Sequence, residues 1–328
     1  MKRLLIAVSG VFWCLGYFSS GVVQAAEKYP VKQIVAIVPV EAGGDGDVLF
    51  RPIMASVSKA LGQPIVIVNK PGGGSSIGYR EIHNAKPDGY TLGWGSATII
   101  TNKLQGVMPL DYHDFTQLGA YATFFPIVIG STKSAVKFNT IQEAIANAKA
   151  NPGKLNMSTA GVGQSWWVGA TAFITATGIQ VNTIPQPGAG ALVVAQVAGG
   201  HAEWGVAALA SAKGMVESGQ VKFLATLGDG RAPAPYDKIP TVRELGYDVS
   251  WESSNFVMAP PKLPKEIATV LANAVEKAAN DPAFKKFVSE RNARWEYIPA
   301  DKVVASYDKR REVVRGIMQK AGILKEAK

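Results

Sequence analysis

Reactive and metal-binding side chains are scarce in this sequence. Among 328 residues there are one cysteine, Cys14, and three histidines, His83, His113 and His201. One cysteine excludes an internal disulfide, and the scattered histidines lack the spacing of a metal site. The sequence contains neither a G-x-x-x-x-G-K-[ST] phosphate loop nor a G-x-S-x-G nucleophile turn. We therefore expect a binding protein and not an enzyme, without a metal or a cofactor.

The first 25 residues have the layout of a secretory signal peptide. Lys2 and Arg3 precede an apolar run over 4–23, and short residues follow at the positions that a signal peptidase reads. Cleavage after Ala25 or the next residue would remove Cys14. The alternative is a membrane anchor, but glycines and serines interrupt the run and no basic cluster follows it. We expect a periplasmic protein.

Basic and acidic residues are mixed along the chain, with a formal net charge of +9. Loss of Lys2 and Arg3 with the signal peptide would leave 32 basic residues against 25 acidic ones. No basic run is longer than Lys309-Arg310-Arg311, which we interpret as the solvated face of a helix. Nucleic acid is therefore not an expected partner.

Apolar strand-like runs alternate with helical patterns, which is typical of α/β proteins. The first run, 33–39, is continuously apolar, as in a strand buried on both faces of a parallel sheet. A second series of strands and helices begins after Asn151-Pro152-Gly153. We predict two domains, each a mainly parallel sheet flanked by helices. Domain 1 would comprise 26–125 plus 250–328, and domain 2 would comprise 126–249.

Glycine- and serine-rich loops follow the predicted strands in both halves, for example at 40–47, 71–76 and 159–165. Glycine lets a ligand approach the backbone, and the next helix offers free N–H groups and the positive end of its dipole. In open α/β sheets, ligands bind beyond the carboxyl ends of the strands. The loops therefore predict an anion-binding cleft between two domains, although tight connections alone would give the same pattern.

The loops and turns match a known family in order along the chain. The matching segments are Tyr29-Pro30, Ala42-Gly43-Gly44-Asp45-Gly46-Asp47, Leu61-Gly62-Gln63-Pro64, Asn69-Lys70-Pro71-Gly72-Gly73-Gly74, Lys86-Pro87-Asp88-Gly89-Tyr90-Thr91-Leu92, Asn151-Pro152-Gly153, Pro187-Gly188-Ala189-Gly190, Ile239-Pro240-Thr241-Val242 and Ala321-Gly322-Ile323. In this set the sequence resembles the Bug/TctC proteins, the periplasmic solute-binding components of tripartite tricarboxylate transporters.

The resemblance implies a type II-like periplasmic binding protein whose domains close on a small organic acid. It also implies delivery of the ligand to the large and small membrane subunits of the transporter, and we expect a monomer. Carried over by position, the ligand-binding residues would be Ala42, Gly43, Gly44, Asp45, Asp47, Gly74, Ser75, Ser96, Thr98, Thr159, Val162, Gln164, Ser165, Pro187, Gly188, Ala207 and Ala208.

The first loop departs from the pattern of the family, which usually reads Pro-Gly-Gly-Gly-Thr-Asp. Here Ala42 replaces the proline, Asp45 the third glycine and Gly46 the threonine. An added carboxylate disfavours an anionic ligand unless it points outward or meets a donor. Pro52 also lies early in the following helix, where it removes a backbone donor.

Aromatic residues near the expected cleft are a second departure. Trp166 and Trp167 follow the loop at 159–165, and Phe124 and Phe125 lie where the chain crosses between domains. An indole ring offers a flat apolar wall and an N–H donor. We include Trp166 and Phe125 in the predicted site and hypothesise an aromatic carboxylate as ligand. The alternative is that one tryptophan faces the core, because neighbouring residues on a helix point in different directions.

Two other classes of function remain to be separated from uptake. A periplasmic sensor that passes ligand occupancy to a two-component system would share the fold and the pocket, so the sequence does not distinguish it. An enzyme would need an assembled nucleophile, base or metal set, which the sequence lacks. Neighbouring genes for two membrane subunits would favour uptake, and a neighbouring histidine kinase gene would favour sensing.

Overall fold

Strands and helices alternate along most of the chain in the computed structural model, which describes residues 29–187 and 190–325. The predicted signal peptide and Gly188 lie outside the described residues. The strands are β1 (Ile34–Val38), β2 (Ile65–Asn69), β3 (Thr91–Ser96), β4 (Thr116–Phe124), β5 (Pro126–Ser131), β6 (Asn156–Ala160), β7 (Asn182–Gln186), β8 (Trp204–Ala208), β9 (Val221–Thr226), β10 (Ser253–Ala259) and β11 (Arg294–Ile298). The α-helices are α1 (Asp45–Leu61), α2 (Ser76–Asn84), α3 (Thr98–Leu104), α4 (Ile141–Ala150), α5 (Ser165–Thr177), α6 (Gly190–Ala198), α7 (Leu209–Glu217), α8 (Lys265–Asn280), α9 (Pro282–Glu290) and α10 (Ala300–Lys320).

The strands form two sheets. The first has the order β11-β4-β10-β3-β1-β2 and the second has the order β7-β6-β8-β5-β9. β1 pairs in parallel with β2 and β3, and β6 pairs in parallel with β7 and β8. We use domain 1 for the part of the chain around the first sheet and domain 2 for the part around the second. The predicted two-domain α/β fold is confirmed.

Both sheets are mixed, because one strand in the middle of each runs against its neighbours. β10 is antiparallel to β3 and β4, and β5 is antiparallel to β8 and β9. Most strands of each sheet still share one direction. The chain leaves the first sheet after Phe124 and enters the second at Pro126, and it returns to the first sheet in β10.

The burial of β1 explains its continuously apolar sequence. Ile34, Ala36 and Val38 pack with α1, α8 and α9 on one face of the sheet. Ile37 points to the other face and packs with α2, α3 and α10. Since successive side chains of a strand point to opposite faces, a strand covered by helices on both sides needs apolar residues at every position.

Local signals in the sequence set the ends of several helices. α1 ends at Gly62, whose φ of 70° is the left-handed conformation that glycine adopts readily. α4 begins after Thr140, whose hydroxyl accepts the Glu143 N–H at 3.1 Å. α1 continues through Pro52 without a break. Within 29–187 and 190–325, none of the helices is both long and apolar enough to cross a membrane.

Candidate functional site

Turns that connect strands to helices in both domains meet at a cavity of about 40 Å³, which we call the inner cavity. This volume is much smaller than that of a typical ligand pocket, roughly 300–1,000 Å³. Its lining residues are Val40, Asp45, Gly46, Ser75, Trp94, Ser96, Thr98, Phe124, Gln164, Ser165, Trp166, Ser253 and Asn255. Hydroxyl and amide groups therefore alternate with aromatic rings around a space shared by both domains.

Three helices begin at this cavity without a side-chain cap. Gly44 precedes α1, Ser75 precedes α2 and Gln164 precedes α5, and none of these side chains accepts a bond from its helix. By contrast, Thr140 caps α4 and Asp281 caps α9 on the surface. The first N–H groups of a helix have no partner inside the helix, and they carry partial positive charge. The uncapped ends therefore favour an anion in the inner cavity.

Ser165 lines the same cavity and has an unpaired hydroxyl group. The residue is 7% exposed, and its Oγ is buried without a hydrogen-bond partner. A buried hydroxyl without a partner costs free energy, so nearly all such groups in native proteins are satisfied by protein, water or ligand. The residues that line the inner cavity include no Lys, Arg or His. Among the described residues, an anion in this cavity would therefore meet N–H groups and hydroxyls and no cationic side chain.

The second glycine-rich loop needs its glycines for backbone shape. Gly72, Gly73 and Gly74 have φ values of 113°, 56° and 63°. Only glycine adopts such values without strain, and the run turns the chain so that Ser75 reaches the cavity. Asn102 fixes the turn, because its Nδ2 donates to the Gly74 carbonyl at 2.8 Å.

Asp45 reaches across the cleft from domain 1 to domain 2. Its carboxyl group accepts hydrogen bonds from Trp166 Nε1 at 2.9 Å and from the Ser211 hydroxyl, and the Gly190 N–H also donates to it. Burial raises the pKa of Asp45 above its ordinary value, and the three donors offset only part of this rise. Protonation of Asp45 therefore costs less free energy than protonation of an aspartate side chain in water.

Asp45 also lines a second cavity. This outer cavity has a volume of about 230 Å³ and includes Gly43, Gly44, Ser211 and the exposed Arg291 in its lining. Asp45 lines both spaces. Elsewhere, the Thr101 hydroxyl donates to the Gly163 carbonyl and makes another contact between the domains.

Asp47 turns back into domain 1, although it stands only two residues from Asp45. It is 2% exposed and accepts hydrogen bonds from the Gly43 N–H at 2.9 Å, Arg51 Nε at 2.8 Å and Asn69 Nδ2 at 3.0 Å. Burial raises the pKa of Asp47, but the bonds from Arg51, Gly43 and Asn69 outweigh burial and lower it overall. Asp47 therefore stabilises the first loop.

Aromatic rings form the apolar walls of the inner cavity. Trp166 is 5% exposed and packs edge-to-face on Phe124, with ring centroids 6.3 Å apart. On the side of domain 1, Trp94 Nε1 donates to Asn255 Oδ1 at 2.9 Å. A Cβ atom at Gly46 would lie 2.4 Å from the Trp94 ring, so the glycine makes room for this indole. Trp166 also belongs to a buried core cluster, and the half-buried Trp167 packs against that cluster and a second one without lining the cavity.

Comparison with known proteins shows where this architecture belongs. The family model of the TctC receptors, described as the tripartite tricarboxylate transporter family receptor, matches residues 49–310. The chain belongs to this family. BugT from Bordetella pertussis is 29% identical over 331 residues, which cover 99% of this chain and 98% of BugT. TctC receptors are solute-binding proteins and not enzymes.

Solved structures of TctC proteins share the fold. A TctC solute-binding protein from Polaromonas, without ligand, is 27% identical and superposes with a TM-score of 0.71 over 89% of this chain and 99% of its own. R. palustris Rpa4515 with adipate is 26% identical and superposes with a TM-score of 0.83 over 90% of this chain and 99% of its own.

The structure brings together seven of the predicted site residues. All seven line the inner cavity: Asp45, Ser75, Ser96, Thr98, Gln164, Ser165 and Trp166. Gly43 and Gly44 line the outer cavity. Gly74 lies directly before Ser75 and gives its carbonyl to Asn102.

The remaining expected residues lie elsewhere. Phe125 packs in the core of domain 2, and its neighbour Phe124 lines the cavity instead. Thr159 is fully buried, as are Ala207 and Ala208 in β8. Ala42 and Pro187 are exposed, Val162 is 61% exposed, and Gly188 lies outside the described residues. Ala42, Val162 and Pro187 follow strand ends as expected, whereas Thr159, Ala207 and Ala208 lie within strands. A loop therefore places only some of its side chains toward the cleft.

Several site residues escaped the sequence analysis. Val40, Trp94 and Ser253 line the inner cavity, and Ser211 bonds Asp45. Trp94 directly precedes the glycine of the third loop, and Gly46 stands where the family has threonine. The combination of a large residue at Trp94 and a small one at Gly46 was the feature of the sequence that could have indicated Trp94 as a site residue. No group of three or more His, Cys, Asp or Glu in the described part of the chain is arranged to hold a metal ion.

Proposed function

We propose that this TctC receptor captures a small carboxylic acid between its domains and delivers it to the membrane subunits of a tripartite transporter. The observation that carries the proposal is the meeting of three uncapped helix N-termini at the inner cavity. Such ends bind carboxylates through backbone N–H groups and the helix dipole. The unpaired Ser165 hydroxyl supplies a further donor.

Its relatives support the same class of ligand and partner. Rpa4515 from R. palustris was solved with adipate, a small dicarboxylic acid. The family description names a receptor of a tripartite transporter, so large and small membrane subunits are the expected partners. Such a receptor works outside the inner membrane, which agrees with the signal-peptide layout of residues 1–25. We therefore place this chain in the periplasm as a monomer.

Capture would proceed by hinge closure. We place domain 1 at 26–125 plus 250–328 and domain 2 at 126–249, with the hinge where the chain crosses between the two sheets. Contacts such as Asp45 with Trp166 join the domains on one side of the inner cavity. Since this cavity is much smaller than a typical ligand pocket of roughly 300–1,000 Å³, an organic acid would need the domains to separate and close again.

The walls of the cavity favour a ligand with an apolar body. Trp94, Phe124 and Trp166 surround the hydroxyl groups of the site. An aliphatic chain or an aromatic ring would bury apolar area against these rings, at about 25 cal/mol for each Å² removed from water. We propose aromatic monoacids such as benzoate among the ligands. A thermal-shift panel that compares benzoate with citrate and malate tests this, because a bound ligand raises the melting temperature.

Ser165→Ala tests the proposed site itself. Loss of one hydrogen bond to a carboxylate should weaken binding by about tenfold, measured by calorimetry with the best acid of the panel. Ser289→Ala is the matched control, because Ser289 is exposed on α9. If no acid binds, or if Ser165→Ala binds as tightly as the control, the proposed function fails. Loss of uptake on deletion of the membrane subunits tests the delivery step.

A further inference from the structure

The donors around Asp45 form a carboxyl-binding site on domain 2. Trp166 comes from α5, the Gly190 N–H opens α6, and Ser211 lies in α7. All three donate to the one carboxyl group, and the Trp166 indole does so at 2.9 Å. An indole, a hydroxyl and the first N–H of a nine-residue helix are typical donors for a carboxylate. The group that fills this site belongs to the protein itself.

Because Asp45 lies in the cleft, its occupation of the carboxyl-binding site affects which ligand can bind. Asp45 lines both the inner cavity and the outer cavity. A Cβ atom at Gly190 would lie 3.2 Å from Asp45 Oδ2, so the glycine permits this close approach. In the resembling loop of the family, glycine is usual where Asp45 stands, and glycine would leave the donors of domain 2 free.

We propose that Asp45 takes the place of one carboxylate of a dicarboxylic ligand, so that this receptor selects acids with a single carboxylate. The inference rests on the proposed function and specifies its ligand. The carboxylate of the ligand lies in the inner cavity, against Ser165 and the uncapped start of α5. Its apolar body lies against Trp94 and Phe124.

A second carboxylate would lack a favourable position in this arrangement. Near Asp45 it would meet a group of like charge, and the lining of the inner cavity offers it no cation. Arg291 lines only the outer cavity, where it is exposed and stacks on Phe287, with its Cζ 5.2 Å from the ring centroid. Selectivity then comes from repulsion of the wrong ligand as well as from attraction of the right one.

Hexanoate and adipate form a matched pair for the test, because both have six carbons and differ by one carboxylate. Calorimetry would measure both acids with the wild type, Asp45→Gly and Asp45→Asn. The wild type should bind hexanoate at least about tenfold more tightly than adipate. Asp45→Gly should shift the ratio toward adipate by about tenfold or more, and Asp45→Asn, which keeps the side-chain shape, should give a smaller shift in the same direction.

Glu41→Gln is the matched control, since it removes an exposed acid four residues before Asp45. It should leave the ratio unchanged. The inference is overturned if the wild type binds adipate as tightly as hexanoate. Equal changes for both acids in Asp45→Gly, or an equal shift in Glu41→Gln, also overturn it. If neither acid binds any of these proteins but benzoate does, the chain length is wrong and the benzoate–terephthalate pair decides instead. If no acid binds at all, the proposed function itself fails.

Discussion

The two faces of the cleft are built from the same kind of turn, yet at the Asp45 contact one face supplies the acceptor and the other supplies the donors. Domain 1 contributes an acceptor, the Asp45 carboxyl group, at the first residue of α1. Domain 2 contributes donors from Trp166, Gly190 and Ser211. A repeated strand-to-helix architecture therefore does not imply a symmetric site, because single side chains at the helix starts decide which face receives an anion.

Asp45 and Asp47 show the same contrast within one loop. Asp45 has neutral donors from the other domain, and burial raises its pKa. Asp47 has Arg51 among its donors, and its pKa is lowered overall although burial raises it. The direction of the side chain, and not the residue type, separates a carboxyl group that bridges the domains from one that stabilises its own loop.

Truncation of Trp166 should have the largest effect on the domain 2 face. Trp166→Ala removes a buried ring from its contact with Phe124, and we expect a loss of about 3 to 5 kcal/mol in the free energy of unfolding. Trp166→Phe keeps a ring and removes the indole donor, and we expect it to lower the free energy of unfolding by about 1 kcal/mol. Urea denaturation measures both. Equal losses would mean that the indole donor matters more than packing.

Substitution of Asp47 and substitution of Asp45 should have different effects on the free energy of unfolding. Asp47→Ala leaves three donors without their acceptor, and we expect a loss of about 2 kcal/mol in the free energy of unfolding. Asp45→Ala removes a carboxyl group whose burial costs free energy. The free energy of unfolding should therefore fall by less than about 1 kcal/mol. The same denaturation experiment compares them. A larger loss for Asp45→Ala would contradict the assigned roles.

Ser211→Ala should weaken the contact between the domains without unfolding either of them. Loss of this donor to Asp45 should shift the closure equilibrium toward the open form by about 1 kcal/mol. Small-angle X-ray scattering would detect a larger radius of gyration. Ser289→Ala, on the surface of α9, should scatter like the wild type. An unchanged radius in Ser211→Ala would show that Asp45 does not depend on this donor for closure.

The contributions of Asp45 and Asp47 to stability should depend on pH with opposite signs. These should be the smallest of the predicted effects. The raised pKa of Asp45 means that the closed form holds a proton more readily, so its contribution is present at low pH and is lost as pH rises through the raised pKa. Asp47 has a lowered pKa, so its contribution is present above the ordinary carboxyl value and is lost as pH falls through the lowered one.

Melting temperatures between pH 3 and pH 8 would separate the two contributions. Asp45→Asn should remove the part of stability that declines with rising pH, and Asp47→Asn should remove the part that declines with falling pH. The exposed Asp248, with 96% of its side chain accessible, provides the control Asp248→Asn. Identical pH profiles for Asp45→Asn and Asp47→Asn would remove the distinction between the two acids.

Much of the fold and part of the site could be predicted from the sequence. The apolar run of β1, the glycine that ends α1 and the threonine cap of α4 act through neighbouring residues, so sequence patterns identify them. The same holds for the strand-to-helix loops that supply Ser75, Ser96 and Ser165. Phe125 was included in the predicted site, whereas in the structure Phe124, the last residue of β4, lines the inner cavity and Phe125 packs in domain 2.

The sequence by itself determined the α/β class, the two series of strands and helices, the family and the chemistry of the loops, because these depend on local periodicity and on ordered short segments. Only the tertiary structure decided that Asp45 bridges the cleft while Asp47 stays in its own domain. It also decided that Trp166 lines the cavity and Trp167 does not. These choices depend on partners more than 100 residues away in the chain, such as Trp166 and Ser211 for Asp45. No local pattern encodes which of two neighbouring side chains meets such a partner.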